Sequence, residues 1–515
     1  MAGWDDGYVT DVVYTTNFYR EITPAWLATA SLLLGQRPPD LTRPFRYADL
    51  GCGHGFTALV VAATCPQAEV WAFDFNPAHI EWARLLASQA GLTNVRFVEA
   101  SFADLAALPE SALPAFDFMV SHGVLSWISP ENRKLLLEVY RQRLRAGGLA
   151  YVSYNVTTGW AGMVPLRRLM CLLDARSPAH TDLGAKSILD FIERMRAAGA
   201  LFFQANPMLE GRLDDLRKQD ARYIAHEYLN RDWHPLMFSE VAEAMADTKC
   251  SFVGSASLSE NVDALAAPGS MLGLLNETAD MVLHETLRDF SSGQPFRRDI
   301  YRRGLLPLPA NEHQALLDEL TIAPMGQTVP DPITFSTAIG TVTGRTEIYR
   351  PLFEMLMQGP VSLRQAREAA PYVDRPLPEL LQAITLMIAG GYAHPVLPGG
   401  ATAAAHQASQ RLNQAIGTAN GLGAELPRLV APLICSALQV DLLETLMVGD
   451  LLAGRQADAD GLTMSVLNGL EKSGRTMQRE GRPVIDPGEQ RTMAGEVVQR
   501  FLERRVPLLK TLGVL

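Results

Sequence analysis

Cysteine is scarce in this sequence: Cys52, Cys65, Cys171, Cys250 and Cys435 are five in 515 residues, widely spaced and with no C-x-x-C pair. An odd, scattered set indicates neither a disulfide framework nor a zinc site and fits a reducing compartment. Long apolar runs are missing as well. The best stretches, 59–63 and 429–440, are too short or too interrupted to span a bilayer, so no membrane insertion is expected. The opening M-A-G-W-D-D-G brings acids early, and no basic segment leads into an apolar one, so no signal peptide is expected and a cytoplasmic location is. Positive charge is also in short supply. With 45 Lys+Arg against 56 Asp+Glu the net charge is −11, which argues against a nucleic-acid partner held by phosphate contacts and favours a basic substrate.

What remains is an ordinary globular composition, 48% apolar and 20% charged, in a chain long enough for about three domains. Its organising stretch is 47–74. A short apolar run ends at Leu50, glycines follow at Gly51, Gly53 and Gly55, an Ala/Val-rich helix pattern runs to Cys65, and a second apolar run closes on Asp74. Strand, glycine-rich loop, helix, strand and acid make half of a nucleotide-binding α/β unit. Glycine lets a ligand approach the main chain, and an acid ending the second strand can accept hydrogen bonds from both ribose hydroxyls. The spacing is G-x-G-x-G rather than G-x-G-x-x-G, and Asp49 stands two residues before the first glycine. That extra carboxylate suits a cationic ligand better than a pyrophosphate, although a nicotinamide or flavin nucleotide stays open on spacing alone.

Further strand–helix repeats follow. Asn76-Pro77 is an N-cap and first helical position, a third strand covers 95–98, a fourth 116–121, a helix 131–145, and Gly147-Gly148 is expected to turn the chain into a fifth strand at 149–154. Ligands in such sheets sit beyond the carboxyl ends of the strands, which places His122 and Trp127 near the chemistry. Segments 238–246 and 250–254 read as the helix and strand that continue the sheet, and 296–301 as its last strand. The helical stretch between is then an insertion over the catalytic face. His226-Glu227 lacks a histidine at position 230, so a zinc-protease reading fails.

D-L-G-C-G-H-G at 49–55 together with Asp74 resembles motifs I and II of the class I S-adenosylmethionine (AdoMet) methyltransferases. S-H-G-V-L-S-W-I at 121–128, A-Y-V-S-Y-N at 150–155 with Gly159-Trp160, and H-E-Y-L-N at 226–230 with Trp233 are similar to the bacterial members that carry a methyltransferase regulatory domain, among them the rickettsial protein lysine methyltransferases. The resemblance implies an α/β, Rossmann-like doubly wound sheet with S-adenosyl-L-methionine as cofactor. It implies cofactor contacts from Asp49, Gly51, Cys52, Gly53, Gly55, Asp74, Phe75, Ala100, Ser101, Phe102 and His122, with Ser101 standing where the family's adenine motif usually has an acid. Candidate catalytic residues are His122, Tyr14, Tyr154 and Asn155; candidate substrate contacts are Trp127, Trp160 and His226. No metal is expected.

The expected organisation is a cofactor-binding core with an N-terminal lid at 1–158, the helical insertion at 159–235, completion of the sheet at 236–308, a winged-helix-like regulatory or substrate module at 309–400 and a helical region at 401–515. The expected function is N-methylation of protein lysines. A methyltransferase for a small molecule or cell-surface sugar, and a non-catalytic interaction protein on the same fold, are the alternatives. The partner is then a protein or small-molecule methyl acceptor, and a homodimer is admitted.

Overall fold

The computed structural model describes residues 16–176, 181–219, 224, 227–454, 458–479 and 482–515. At its centre is a seven-stranded sheet of β1 (Arg46–Leu50), β2 (Glu69–Asp74), β3 (Val95–Glu99), β4 (Phe116–Ser121), β5 (Leu144–Asn155), β6 (Cys250–Ser255) and β7 (Phe296–Arg303). The order is β3-β2-β1-β4-β5-β7-β6. The first five in that order pair in parallel, and β7 is antiparallel to both its neighbours. The chain builds outward from β1 to β3 and then returns to β4, so the loops leaving β1 and β4 diverge and open a crevice at their carboxyl ends.

Alternation along each strand sorts the core into two layers. Tyr47, Val70, Phe118 and Tyr151 face α1 (Pro24–Leu33), α2 (Phe56–Thr64) and α3 (Pro77–Gln89); Ala48, Trp71, Met119 and Val152 face α4 (Phe102–Ala107) and α5 (Pro130–Arg143). Local chemistry starts these helices where the sequence indicates. Asn76 accepts from the Ala78 amide with Pro77 behind it, and Ser129 accepts from the Asn132 amide ahead of α5. One expectation changes: β5 begins at Leu144, before the paired glycines. Its pairing with β4 shifts register between Phe116, opposite Leu144, and Phe118, opposite Leu149, and Gly147 at φ +82° lies within that irregularity of the strand.

Between β5 and the next sheet helix the chain forms α6 (Thr157–Trp160), α7 (Met163–Asp174), α8 (Thr181–Ala197), α9 (Leu201–Ala205) and α10 (Leu209–Leu216). These close around a core of their own, with Met163, Leu166, Met170, Ile188 and Leu213 at its centre. The sheet is then completed by α11 (Phe238–Asp247), β6, α12 (Met281–Ser292) and β7.

Beyond the sheet come β8 (Thr321–Pro324), the hairpin β9 (Thr334–Thr337) and β10 (Gly340–Thr343), α13 (Thr346–Gln358), β11 (Val361–Ser362), α14 (Leu363–Glu368), α15 (Leu377–Ala389) and β12 (Ala393–Pro395). β8 lies between β11 and β12 in a three-stranded sheet. After β12 the chain enters a turn and then α16 (Ala403–Gly421), so the expected winged-helix-like module has its helices but no hairpin follows α15, where a wing would stand.

The last part is mainly helical, with α17 (Leu442–Leu452), α18 (Ala459–Lys472) and α19 (Pro487–Arg500), but the apolar stretch at 429–440 is a hairpin of β13 (Arg428–Ala431) and β14 (Ser436–Gln439). Both α16 and this hairpin pack on α2. That explains why every residue of α2, F-T-A-L-V-V-A-A-T, is buried: a helix apolar all round needs cover on both sides, and each fully buried Val or Leu contributes about 1.5–3 kcal/mol. The seam is tight. Cys65 Sγ and Cys435 Sγ lie 3.3 Å apart, and Arg411 Nε donates to the Ala90 carbonyl at 2.9 Å. Among the described residues no helix is long and apolar enough to cross a membrane.

Candidate active site

The turn after β1 is built from three left-handed glycines, at φ +82°, +54° and +64° for Gly51, Gly53 and Gly55. Their purposes differ. A Cβ on Gly51 would lie 2.7 Å from Val124 Cγ2 and one on Gly55 2.4 Å from Phe97, whereas one on Gly53 would meet nothing within 4 Å. The outer glycines therefore serve packing, and the middle one opens onto a cavity of about 600 Å³ at the crevice, within the size range of small-molecule sites.

Asp74, at the end of β2, is 7% exposed and lines this cavity. Its Oδ2 accepts from the Gly53 amide at 2.8 Å; Oδ1 accepts from the Asn76 amide at 2.9 Å and lies 3.2 Å from His79 Nδ1. Oδ2 keeps a lone pair for a further donor such as a ribose hydroxyl. Asp49 does not line the cavity. It is buried behind the turn, where burial and then the charge of Asp74 push its carboxyl up to about 7. Two carboxylates this close favour a cation in front of them, and the open face of Gly53 admits a ligand to the backbone. An ammonium- and sulfonium-bearing nucleoside fits this cradle; a pyrophosphate would face two negative groups.

Phe75, Ala100 and Phe102 form one wall, and Cys52 and His54 lie beside Gly53. Ser101 also lines the wall, but its hydroxyl donates to Asp104 Oδ2 at 2.6 Å and accepts from the Asp104 amide at 3.1 Å, closing the capping box of α4. The adenine contact expected of that hydroxyl competes with its work in the helix cap.

At the end of β4, His122 is stacked on Tyr19 with ring centroids 3.6 Å apart, and its Nδ1 is 2.8 Å from the Tyr151 hydroxyl. Burial and then the positive charge of Arg298 pull its pKa down to about 3, so the imidazole is neutral at physiological pH. Asn155, ending β5, is 5% exposed; it lines the cavity and its Nδ2 has no hydrogen-bond partner. Tyr154 does not reach the cavity. It is fully buried with its hydroxyl donating to Asp299 Oδ2 at 2.6 Å, beside Arg297, which pairs with Glu285, Asp289 and Asp299; this is a structural position, and the catalytic expectation for it is withdrawn. Tyr14 and His226 lie outside the described residues.

The insertion side of the cavity carries Trp127, Trp160, Glu227, Asn230 and Asp232. Trp160 donates from Nε1 to the Pro295 carbonyl at 2.8 Å, and Trp233 bridges the two tryptophans with centroids 6.4 Å from Trp127 and 5.2 Å from Trp160. Among the acidic and imidazole lining residues, His54, His79, Glu227 and Asp232 were given no role in the sequence. His54 was in view inside the glycine motif, and Glu227 beside His226, where it was weighed only as part of a zinc motif.

Sheet order, cradle and terminal acid together define a class I AdoMet-dependent methyltransferase, and S-adenosyl-L-methionine is its cofactor. The comparisons with known proteins agree. A methyltransferase domain model matches residues 48–148, and a model described as a predicted methyltransferase regulatory domain matches 220–303; the latter spans α11, β6, α12 and β7, the part that completes the sheet. An uncharacterized protein of Synechocystis is 34% identical over 511 residues, covering 99% of both chains. The chain belongs to this family of methyltransferases with a methyltransferase regulatory domain. The trans-aconitate 2-methyltransferase of Methylobacterium radiotolerans is 30% identical over 173 residues, 34% of this chain and 60% of that one. Among solved structures, PKMT2 from Rickettsia typhi in complex with AdoHcy shares the fold, with a TM-score of 0.70 and 20% identity over 97% of this chain and 99% of that one.

Proposed function

We propose that the methyl acceptor is the side-chain amine of a lysine in a protein. The observation that carries this reading is the make-up of the cavity: Glu227, Asp232 and the indoles of Trp127 and Trp160 line it opposite the cradle, and no Lys or Arg is among its described lining residues. Carboxylates and indole faces together suit an ammonium group. The cofactor supplies a methyl on a sulfonium, which passes to nitrogen as a C–N bond forms and the C–S bond breaks, its electron pair staying on sulfur. The chain's part is to align the amine and exclude water. The name PKMT2, which denotes a protein lysine methyltransferase, supports the same reading for a neighbour of the same fold.

The alternative is transfer to a carboxylate of a small acid, the chemistry in the name of the trans-aconitate relatives. Here a polycarboxylate would enter a space already lined by Asp74, Glu227 and Asp232, and like charges repel. The test is incubation with methyl-tritiated AdoMet and either a panel of lysine peptides or trans-aconitate, followed by acid hydrolysis and base treatment. Acid-stable label in methyl-lysine is expected; base-labile label in an ester, with none on lysine, would overturn the reading.

A further inference from the structure

Resting on the amine-acceptor reading, we propose that Glu227 is the group that holds the acceptor's ammonium and takes its proton before transfer. A lysine amine titrates at about 10.4, so at neutral pH it arrives as an ammonium with no lone pair to give. A group in the cavity has to accept that proton, and the described residues expected from sequence to be catalytic are unequal to the task. His122, the base expected from sequence, has its Nδ1 against Tyr151 and a pKa held down at about 3; a proton passed to it from lysine climbs roughly seven pH units. Asn155 has no basic atom, and Tyr154 is sealed away on Asp299.

Of the two carboxylates on the insertion side, Asp232 is already occupied. Arg231 Nε and His234 Nε2 each stand 3.3 Å from it. Glu227 has no hydrogen-bond or ionic partner among the described residues, and it lines the same cavity as the unpartnered, nine-tenths-buried Nδ2 of Asn155. A buried orphan donor and an unpaired carboxylate facing one space are what a polar ligand would satisfy. Burial pushes Glu227 up to about 7. Among the described residues, the charged groups packed around this wall are Asp232 with Arg231, His234 and the nearby Arg133, Arg212 lying 4.3 Å over the Trp160 ring, and Arg167 lying 4.9 Å over the Trp233 ring. Burial alone accounts for the displacement of Glu227, and none of these cations pairs with it.

A carboxylate near 7 is half ionised at neutral pH and lies roughly three pH units from lysine, against seven for His122. In the step itself an N–H bond of the ammonium breaks, an O–H bond forms on Glu227, and the lone pair stays on nitrogen. The methylated product carries its own positive charge, so Glu227 returns its proton to solvent once the product leaves.

Two measurements test this on the full chain. Calorimetric titration of a lysine peptide in buffers of different ionisation enthalpy, without cofactor, should show about half a proton released at pH 7, because binding an ammonium ionises the half-protonated carboxylate; Glu227→Gln should abolish that release. With AdoMet, kcat for the same peptide should fall about 100-fold or more in Glu227→Gln, the acid limb near 7 in the wild-type pH profile of kcat/KM, which reports the free enzyme, should disappear, and Glu227→Asp should recover part of the rate. An AdoMet affinity equal to wild type certifies that a variant is folded. If wild type methylates lysine peptides and the Gln variant does so at the same rate with the same acid limb, the role of Glu227 is overturned alone. If wild type methylates no lysine peptide, the amine reading falls and takes this inference with it.

Discussion

The helical insertion and the C-terminal half decorate the same sheet in opposite ways. Helices α7 to α10 bury their apolar faces mainly against one another and form a core separate from the two layers of the sheet. The C-terminal half is divided: Leu429, Met447, Leu462, Val498 and Leu508 close a cluster of their own, whereas the cluster that contains Trp26 and Val60 continues without a break through Ile384, Ile416 and Val430. One addition stands over the cavity and brings acidic and aromatic groups to it; the other is part of what holds the cofactor-binding half together. An element whose core is its own can open locally, whereas one that shares a core unfolds with the whole.

The largest test of that contrast is a matched pair of deletions. Ile416→Ala on α16 and Met170→Ala on α7 each empty a fully buried site and should each cost about 2–5 kcal/mol. The first should lower the global unfolding midpoint and carry AdoMet binding down with it. The second should speed amide exchange in 163–216 and leave the midpoint of AdoMet binding in place. Hydrogen exchange read by mass spectrometry, alongside urea melts, separates the two; equal behaviour would erase the distinction.

Next in size is Asp74→Ala, which should weaken AdoMet binding by about 1–3 kcal/mol in calorimetric titration, while Met170→Ala leaves it within about twofold. Unchanged affinity without Asp74 would remove the ribose assignment. The acid sensitivity of the shared core follows from His394, fully buried in β12 with its pKa held down at about 3 by burial. As pH drops below the ordinary 6.5 the unfolded chain takes up a proton that the folded ring refuses, so stability is lost as pH falls towards 3. Between pH 7 and pH 5 this one group should cost about 2 kcal/mol, and His394→Phe should make the urea midpoint that much less sensitive to acid. Smallest is Arg411→Ala. Losing the bond from α16 to the Ala90 carbonyl should cost about 0.5–1.5 kcal/mol globally, with no change in exchange within the insertion.

Residues 46–155 were largely readable, because there backbone geometry dictates residue type. The three left-handed glycines, the capped helix starts and the alternating strands leave marks at fixed spacing, and strand order follows from the repeats. Side-chain direction at strand ends was harder. Tyr154 and Asn155 are neighbours at the end of β5, and alternation sends one away from the cavity and the other into it; the acid that claims Tyr154 is Asp299, 145 residues later. The acceptor side was hidden for the same reason. Glu227 and Asp232 acquire meaning only when the insertion folds back over β4 and β5, and no local pattern announces that. The missing wing was equally remote, since the central strand of that small sheet, β8, precedes all three helices.

The cover over α2 also sets a timetable for synthesis. The helix that follows the glycine turn leaves the ribosome early with its outer face apolar, and the segments that cover it end only at Gln439. At about 5–20 residues per second, the nascent chain carries that exposed face for roughly 20–70 seconds. The cofactor-binding unit therefore cannot mature when its own residues are complete. Growing chains stalled before α16 should bind chaperones through 56–64, and released full-length chains should not.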